Sequence, residues 1–275
     1  MNAGQIGLLV ASSAGAGVMN AMAGGGTILT YPALLFVGES AITANATSTV
    51  ALWPGAAASL FGYRREVAEH RDWLKTLFLP SLLGGALGAV LLLRTPVKTF
   101  AGLAPFLILF ATVLFMVQGA VARWAQKTGR EHGGRTRGRL AAALVYQFGV
   151  GVYGGYFGAG IGILMLAVLG FLGLSDIHAA NGVKNFFGMC INGLAAGYFI
   201  VRGAVDWPAA LIMVAGAIAG GYAGAGFARR IGREKARAAV VVIGFLVAAL
   251  LLFQSASRDR RACQRRQRGR PPHRR

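Results

Sequence analysis

Gly17-Val18-Met19-Asn20-Ala21-Met22-Ala23-Gly24-Gly25-Gly26-Thr27 interrupts an apolar run that extends from Gln5 to Val37. A glycine in a helix interior costs about 1 kcal/mol relative to alanine, so three in succession mark a break. In lipid the backbone groups freed at a break have no water to turn to. Such a break persists only where protein or a wet cavity satisfies them. Beyond it the chain reaches Asn45-Ala46-Thr47-Ser48, a polar cluster opening the next apolar segment. The same order of features returns later in the chain, and both fold and function are read from that return.

Composition identifies the solvent. The 275 residues are 55% hydrophobic and 13% charged, with a mean hydropathy of +0.57, whereas soluble domains carry about 25% charged residues. The expectation is an all-α polytopic membrane protein. The 41 glycines lie inside apolar segments rather than in linkers, which suits close helix packing in a bilayer. A formal charge of +19 resembles a nucleic-acid signal, but its placement excludes nucleic acid as a partner. Nine of the 28 basic residues follow Ser257, and most others flank apolar runs, as in membrane proteins generally. Cys190 and Cys263 form no disulfide or metal-ligand spacing, and neither a metal nor another cofactor is expected. The start, Met1-Asn2-Ala3-Gly4-Gln5, has no basic residue ahead of the apolar run, so the first segment is read as a retained span.

Eight runs are long enough to span, at ~20 residues for a ~30 Å core. They are Gln5–Val37, Ala44–Tyr63, Trp73–Leu93, Thr99–Ala122, Leu140–Leu172, Ile177–Val201, Trp207–Ala228 and Ala238–Phe253. Residues 1–122 form a first half of four spans. Residues 123–139 are a connecting loop with six basic residues. Residues 140–256 form a second half of four spans. Residues 257–275 are an Arg-rich tail whose composition predicts disorder.

The halves are copies. Gly15, Gly17, Gly24 and Gly26 recur with the same spacing as Gly149, Gly151, Gly158 and Gly160. Ala44-Asn45 recurs as Ala180-Asn181, Asp72-Trp73 as Asp206-Trp207, and Gly84-Gly85 as Gly220-Gly221. Duplicated halves with glycine-interrupted helices at matching positions characterise secondary transporters, and the interruptions point to the binding site. The first helix of each half is therefore expected to be broken, at Gly24-Gly25-Gly26 and at Gly158-Ala159-Gly160. Topology stays open between eight single crossings and ten crossings with inverted halves. Eight spans with broken first units is the preferred reading.

A half-helix starting at Gly24-Gly25-Gly26-Thr27 presents unsatisfied N–H groups and a positive dipole end, which suits an anion. The copy at Gly158 and Gly160 is expected to face it. Asn45, Thr47 and Ser48 can cap a helix or bind a polar solute. The second half places Asn181, Lys184 and Asn185 there. Lys184 lies well inside a span, and an ionisable residue in that position is a functional candidate; snorkelling to the interface is the competing explanation. Asn20 and Asn192 can glue helices or line a path. Asp72-Trp73 and Asp206-Trp207 look like helix starts, with Asp as N-cap. No Ser-His, paired-Asp or metal-spaced cluster lies within a span, and no enzymatic activity is expected.

These marks resemble the TauE/SafE family of sulfite exporters and related membrane permeases. The resemblance rests on Gly24-Gly25-Gly26 followed by Pro32, Ala44-x-Ala46-Thr47-Ser48 and a basic loop. The second half adds Gly158/Gly160, Ala180-x-Gly182-x-Lys184, and Val205-Asp206-Trp207 before a Gly-rich helix. It covers about residues 5–255. It implies a multi-pass transporter of the bacterial inner membrane for sulfite, sulfonates or related small anions. The family pattern falls on Gly24, Gly26, Thr47, Ser48, Gly158, Gly160 and Lys184. It departs at Asn45 and Asn181, which are more polar than the pattern implies.

The resulting expectation is a permease that binds a small anion between its halves and alternates access. Its substrate-binding set is Gly24, Gly25, Gly26, Thr27, Asn45, Thr47, Ser48, Gly158, Gly160, Asn181, Lys184 and Asn185. The alternative is a non-transporting scaffold whose basic loop and tail bind a partner or anionic lipid, in which case the breaks hold no polar cavity. The sequence is compatible with a homo-oligomer.

Overall fold

The structure, a computed structural model, describes residues 1–22, 25–62, 64–131, 137–174, 176–231, 238 and 241–253. Gly24, residues 132–136 of the central basic segment and the Arg-rich tail lie outside the described residues; the rest of segment 123–139, expected as a loop, is helical.

Every regular element among the described residues is helical. In chain order these are α1 (Ala3–Met22), α2 (Thr27–Val37), α3 (Ala41–Gly62), α4 (Arg64–Glu69) and α5 (Arg71–Arg94). They continue as α6 (Val97–Glu131), α7 (Arg137–Tyr156), α8 (Ile161–Phe171), α9 (Ile177–Val201), α10 (Trp207–Ile231) and α11 (Val241–Phe253). By length and composition, α5 and the Val97–Val121 part of α6 suffice to cross a membrane. The polar segment 64–72, read from sequence as a loop, is helical over α4 and into the first turn of α5. His70 takes the N-cap of α5, and Asp72 falls inside its first turn rather than at the expected cap.

The run Gln5–Val37 divides into α1 and α2, and the run Leu140–Leu172 into α7 and α8. Backbone conformation explains where. Gly25 has φ +96°, and Gly158 and Gly160 have +81° and +77°. These left-handed values cost other L-residues roughly 1–2 kcal/mol, so the chain turns where glycine stands. Each second piece has 11 residues, ~16 Å as a helix, or about half a hydrocarbon core. A left-handed glycine, Gly38 or Gly173, follows each of these short helices.

Helix α5 shows how the chain meets its surroundings. Leu77, Ser81, Gly84, Gly85, Gly88, Ala89 and Leu92 are buried. Leu79 and Leu83, with Leu87 and Leu91, form an outer stripe exposed by 64% and 55% at the first two positions. Small residues face protein and large apolar ones face outward, which is the bilayer arrangement. Phe106, Val145, Leu211 and Leu246 are also more than half exposed.

The halves are interleaved. The closest pairings join α1 to α10 and α5 to α7, each between an element of the N-terminal part of the chain and one of the C-terminal part. Helix α3 packs on its counterpart α9. Glycines make the two crossings tight. A methyl group at Gly84 would strike the backbone of Phe148 and Val152, and one at Gly88 that of Val152 and Tyr156. At the related crossing, a methyl group at Gly220 would strike Ala14, and one at Gly17 the backbone of Ala217 and Gly221. Helix association in lipid draws on such close packing because lipid tails are as apolar as leucine. A buried tie from Gln147 Nε2 to Ser81 Oγ, at 2.8 Å, adds a polar link between α7 and α5.

One core cluster is drawn from both halves and includes Ile28 and Tyr31 of α2, Phe100 and Phe115 of α6, Phe157 and Phe199. Tyr31 meets Phe157 edge-on at 5.7 Å, and Phe100 meets Tyr156 at 5.5 Å. Such pairs contribute about 0.5–1.5 kcal/mol each beyond burial. They fix α2 and α6 against the end of α7, immediately before the second break.

Candidate functional site

Both breaks open onto one cavity of about 80 Å³, ample for water at the ~10–15 Å³ one molecule requires. The first half supplies Asn20 from the last turn of α1, Gly25 from the break and Thr27 from α2. The second supplies Gly158 from its break and Ile161 and Gly162 from α8. The backbone of Gly25 also lies beside Gly160, where a methyl carbon on Gly25 would sit 3.2 Å from the Gly160 nitrogen. The two interruptions, one in each half of the sequence, are neighbours in space.

Helices α3 and α9 form the other walls. From α3 come Thr49, Leu52, Trp53 and Ala56, at the i, i+3, i+4, i+7 spacing of one helix face. From α9 come Lys184, Asn185, Gly188, Met189 and Asn192, a second such face. Trp53 is anchored by its indole N–H, which donates to the Met189 carbonyl at 3.1 Å. It remains 39% exposed, so the ring lies between the cavity and the outside.

Lys184 is 6% exposed. No described residue offers it a hydrogen bond or a carboxylate. Charged groups buried in protein are otherwise paired, so its ammonium is the outstanding electrostatic feature of the cavity.

Of the residues singled out from sequence, Gly25, Thr27, Gly158, Lys184 and Asn185 line the cavity together. Gly24 lies outside the described residues. Gly26 is the N-cap of α2 and Gly160 that of α8; neither is in the lining, and nor is Asn181. Asn45, Thr47 and Ser48 are buried as internal ties. Asn45 Nδ2 donates to the Tyr156 carbonyl at 3.0 Å, joining α3 to the end of α7. Thr47 Oγ1 accepts the Asp206 N–H at 2.9 Å. Ser48 Oγ lies 2.5 Å from Thr30 Oγ1, joining α3 to α2. These hydroxyls and the amide bind other helices rather than face the cavity. Thr49 and Trp53 were not singled out for the site, although the α3 face spacing was the signal that pointed to them.

A larger groove of about 450 Å³ lies among α6, α7 and α8, lined by Leu114, Trp124, Tyr146, Ile163 and Phe171 among others. Its lining has no charged residue and lacks the convergent polar groups that mark a site for a polar solute. At one end of the molecule Glu39, in the α2–α3 turn, meets Asp206, which precedes α10. Burial and then the Asp206 carboxylate push the Glu39 carboxyl above its ordinary range.

Known proteins bear on this geometry. The sulfite exporter TauE/SafE family matches residues 9–251. The chain belongs to the TauE/SafE family. It is 31% identical over 241 residues to a "Probable membrane transporter protein" of Haemophilus influenzae, covering 86% of this chain and 91% of that protein. It is 27% identical over 252 residues to "Probable membrane transporter protein YfcA" of Escherichia coli, covering 89% and 88%. A Sinorhizobium protein, "Probable membrane transporter protein ORF9", is 27% identical over 239 residues, covering 86% and 88%. No solved structure matches the chain. As a TauE/SafE protein the chain is a membrane transporter, and the apolar outer faces of its helices fit that environment. In this TauE/SafE chain, glycine breaks, amides and one lysine converge on a single cavity.

Proposed function

We propose that this transporter carries small anions, sulfite or organosulfur oxyanions, bound in the cavity between the two breaks. Lys184, buried and without a counter-charge among the described residues, carries the reading. On insertion scales a lysine at mid-membrane costs about 2.5–3.5 kcal/mol, and an anionic ligand offsets that cost when it pairs with the ammonium. The half-helix starts at Thr27 and Ile161 add N-terminal dipoles of the same sign. The name of the matched family, sulfite exporter, supports the substrate class. The scaffold alternative expects no polar cavity at the breaks, and the cavity lined by Asn20, Lys184 and Asn192 favours transport.

The membrane arrangement follows as part of the same reading. Helices α3, α5, α6, α9, α10 and α11 cross a bacterial inner membrane, and α1 with α2 and α7 with α8 supply the two broken units, giving eight spans. Access alternates by movement of one repeat half against the other. The substrate-binding groups are Gly25, Thr27, Gly158, Lys184 and Asn185. Radiolabelled sulfite flux into proteoliposomes tests this. Lys184→Met should lower flux at least about tenfold, the loss of ~1.4 kcal/mol of anion stabilisation, with a ligand-free melting temperature no lower than that of the unmodified protein. Undiminished flux in that variant removes Lys184 from the site and overturns the reading.

A further inference from the structure

Resting on the anion reading above, we propose that Asn20 is the specificity-determining residue of this cavity: it ties the first break and thereby turns a hydrogen-bond donor, not an acceptor, towards the ligand. The Gly26 N–H donates to Asn20 Oδ1 at 2.8 Å. A backbone N–H can be received only by the amide oxygen, so this bond fixes which way the carboxamide faces. Asn20 also lines the cavity. Its oxygen is committed to Gly26, and its NH₂ has no partner among the described residues. That group remains for whatever occupies the cavity.

The rest of the breaks is polarised in the same sense. The carbonyls of Gly25, Gly26, Gly158, Ala159 and Gly160 already accept bonds. Gly25 O takes the Ile28 N–H, and Gly26 O takes the N–H groups of Leu29 and Thr30. Gly158 O takes the Ile161 N–H and Gly160 O that of Ile163. Ala159 O takes the Tyr153 hydroxyl at 2.6 Å. In contrast, no described acceptor takes the N–H of Gly25, Thr27 or Gly162, all three in the cavity wall. Lys184 is a donor only. These carbonyls of the breaks are thus occupied, while Asn20 and Lys184 present donors to the cavity. Such a wall accommodates an oxyanion with lone pairs on every enclosed oxygen. A ligand that must donate, whether a protonated acid or an ammonium, finds acceptors only in side-chain oxygens such as those of Thr27, Asn185 and Asn192, and none from Asn20.

The two halves reach this state differently. The glycine spacing that aligns the halves sets Gly154 opposite Asn20, and glycine has no side chain to repeat the tie. Tyr153 does the complementary work by occupying a carbonyl. Among the described residues, Asn20 is therefore the one that both holds a break and presents a donor.

Two Asn20 variants of the full-length detergent-purified protein separate these roles. Asn20→Asp keeps an oxygen for the Gly26 N–H but turns an anionic acceptor to the cavity. Asn20→Leu removes both groups. Melting without ligand should leave Asn20→Asp within about 2 °C of the unmodified protein and lower Asn20→Leu by at least about 2–4 °C. Calorimetric binding of sulfite, thiosulfate and acetate should fall at least tenfold in Asn20→Asp. Unchanged binding in Asn20→Asp, with binding lost in Lys184→Met, overturns this proposal and spares the anion reading. Equal destabilisation by both Asn20 variants overturns the tie and with it the proposal. If the unmodified protein binds none of the three anions, the anion reading falls and takes the donor role with it.

Discussion

At the scale of single residues, the same chemical type serves opposite ends. Asn20 and Asn45 are both amides in apolar helices, yet Asn20 reaches a cavity and Asn45 is 1% exposed with its Nδ2 on the Tyr156 carbonyl. Thr49 lines the cavity while its neighbours Thr47 and Ser48 tie α3 to Asp206 and Thr30. Removing a tie should cost stability without touching the ligand. Ser48→Ala is expected to lower unfolding stability by roughly 0.5–1.5 kcal/mol and to leave anion affinity unchanged, measured by detergent melting and calorimetry on one sample. A loss of affinity out of proportion to the loss of stability would return Ser48 to the site. This division was not legible in the sequence. A hydroxyl or amide offers a helix neighbour the same hydrogen bonds it offers a solute, and only the packed neighbours decide between them. The place of Lys184 in the cavity wall matches what a solitary ammonium in an apolar run suggests, since it has few structural uses.

At the scale of elements, glycine has two separable uses. At the crossings it lets backbones approach; at the breaks it permits a left-handed turn. Gly84→Ala places a methyl group against the Phe148 and Val152 backbone, which cannot move aside as a side-chain end can. Overpacking of that kind costs about 1–3 kcal/mol, whereas Gly102→Ala in α6 meets nothing within 4 Å and should gain up to about 1 kcal/mol of helix propensity. Opposite shifts in melting temperature are the expected result, and equal shifts would refute the crossing argument. Gly25→Ala carries both penalties, a φ of +96° and the Phe115 ring. It should reduce anion binding as well as stability, because it displaces α2 from the cavity. The division of each first run into two helices could be anticipated from clustered glycines. Their role at the crossings could not be assigned, because in a chain with 41 glycines close packing leaves no distinctive spacing.

At the scale of the whole molecule, the repeat in sequence and the packing in space differ in a way no pattern of residues reveals. The glycines and the Asp-Trp steps recur along the sequence, but α1 docks on α10 and α5 on α7, so these helices take their partners across the middle of the chain rather than within one run of the pattern. Asp206 is a further link across the same divide, through Thr47 and through Glu39 facing it. Glu39 is held above its ordinary range by burial first and by Asp206 second. The folded state therefore retains that proton more tightly than the unfolded chain. This contribution is present in full at acid pH, below the unfolded carboxyl value. It is lost as pH rises through the raised folded value. Glu39→Gln should therefore raise the melting temperature at neutral pH and reduce its dependence on pH between mild acid and neutrality; identical pH profiles for the two proteins would show that the carboxyls do not interact. The pairing of α1 with α10 also imposes an order on synthesis. Helix α1 ends at Met22, and the helix it packs against begins at Trp207. At about 5–20 residues per second, α1 waits on the order of 10–40 s after leaving the ribosome before its partner exists. Throughout that interval its glycine face has only lipid or the insertion machinery to shelter it, so the period of greatest exposure to quality-control proteases precedes completion of the chain.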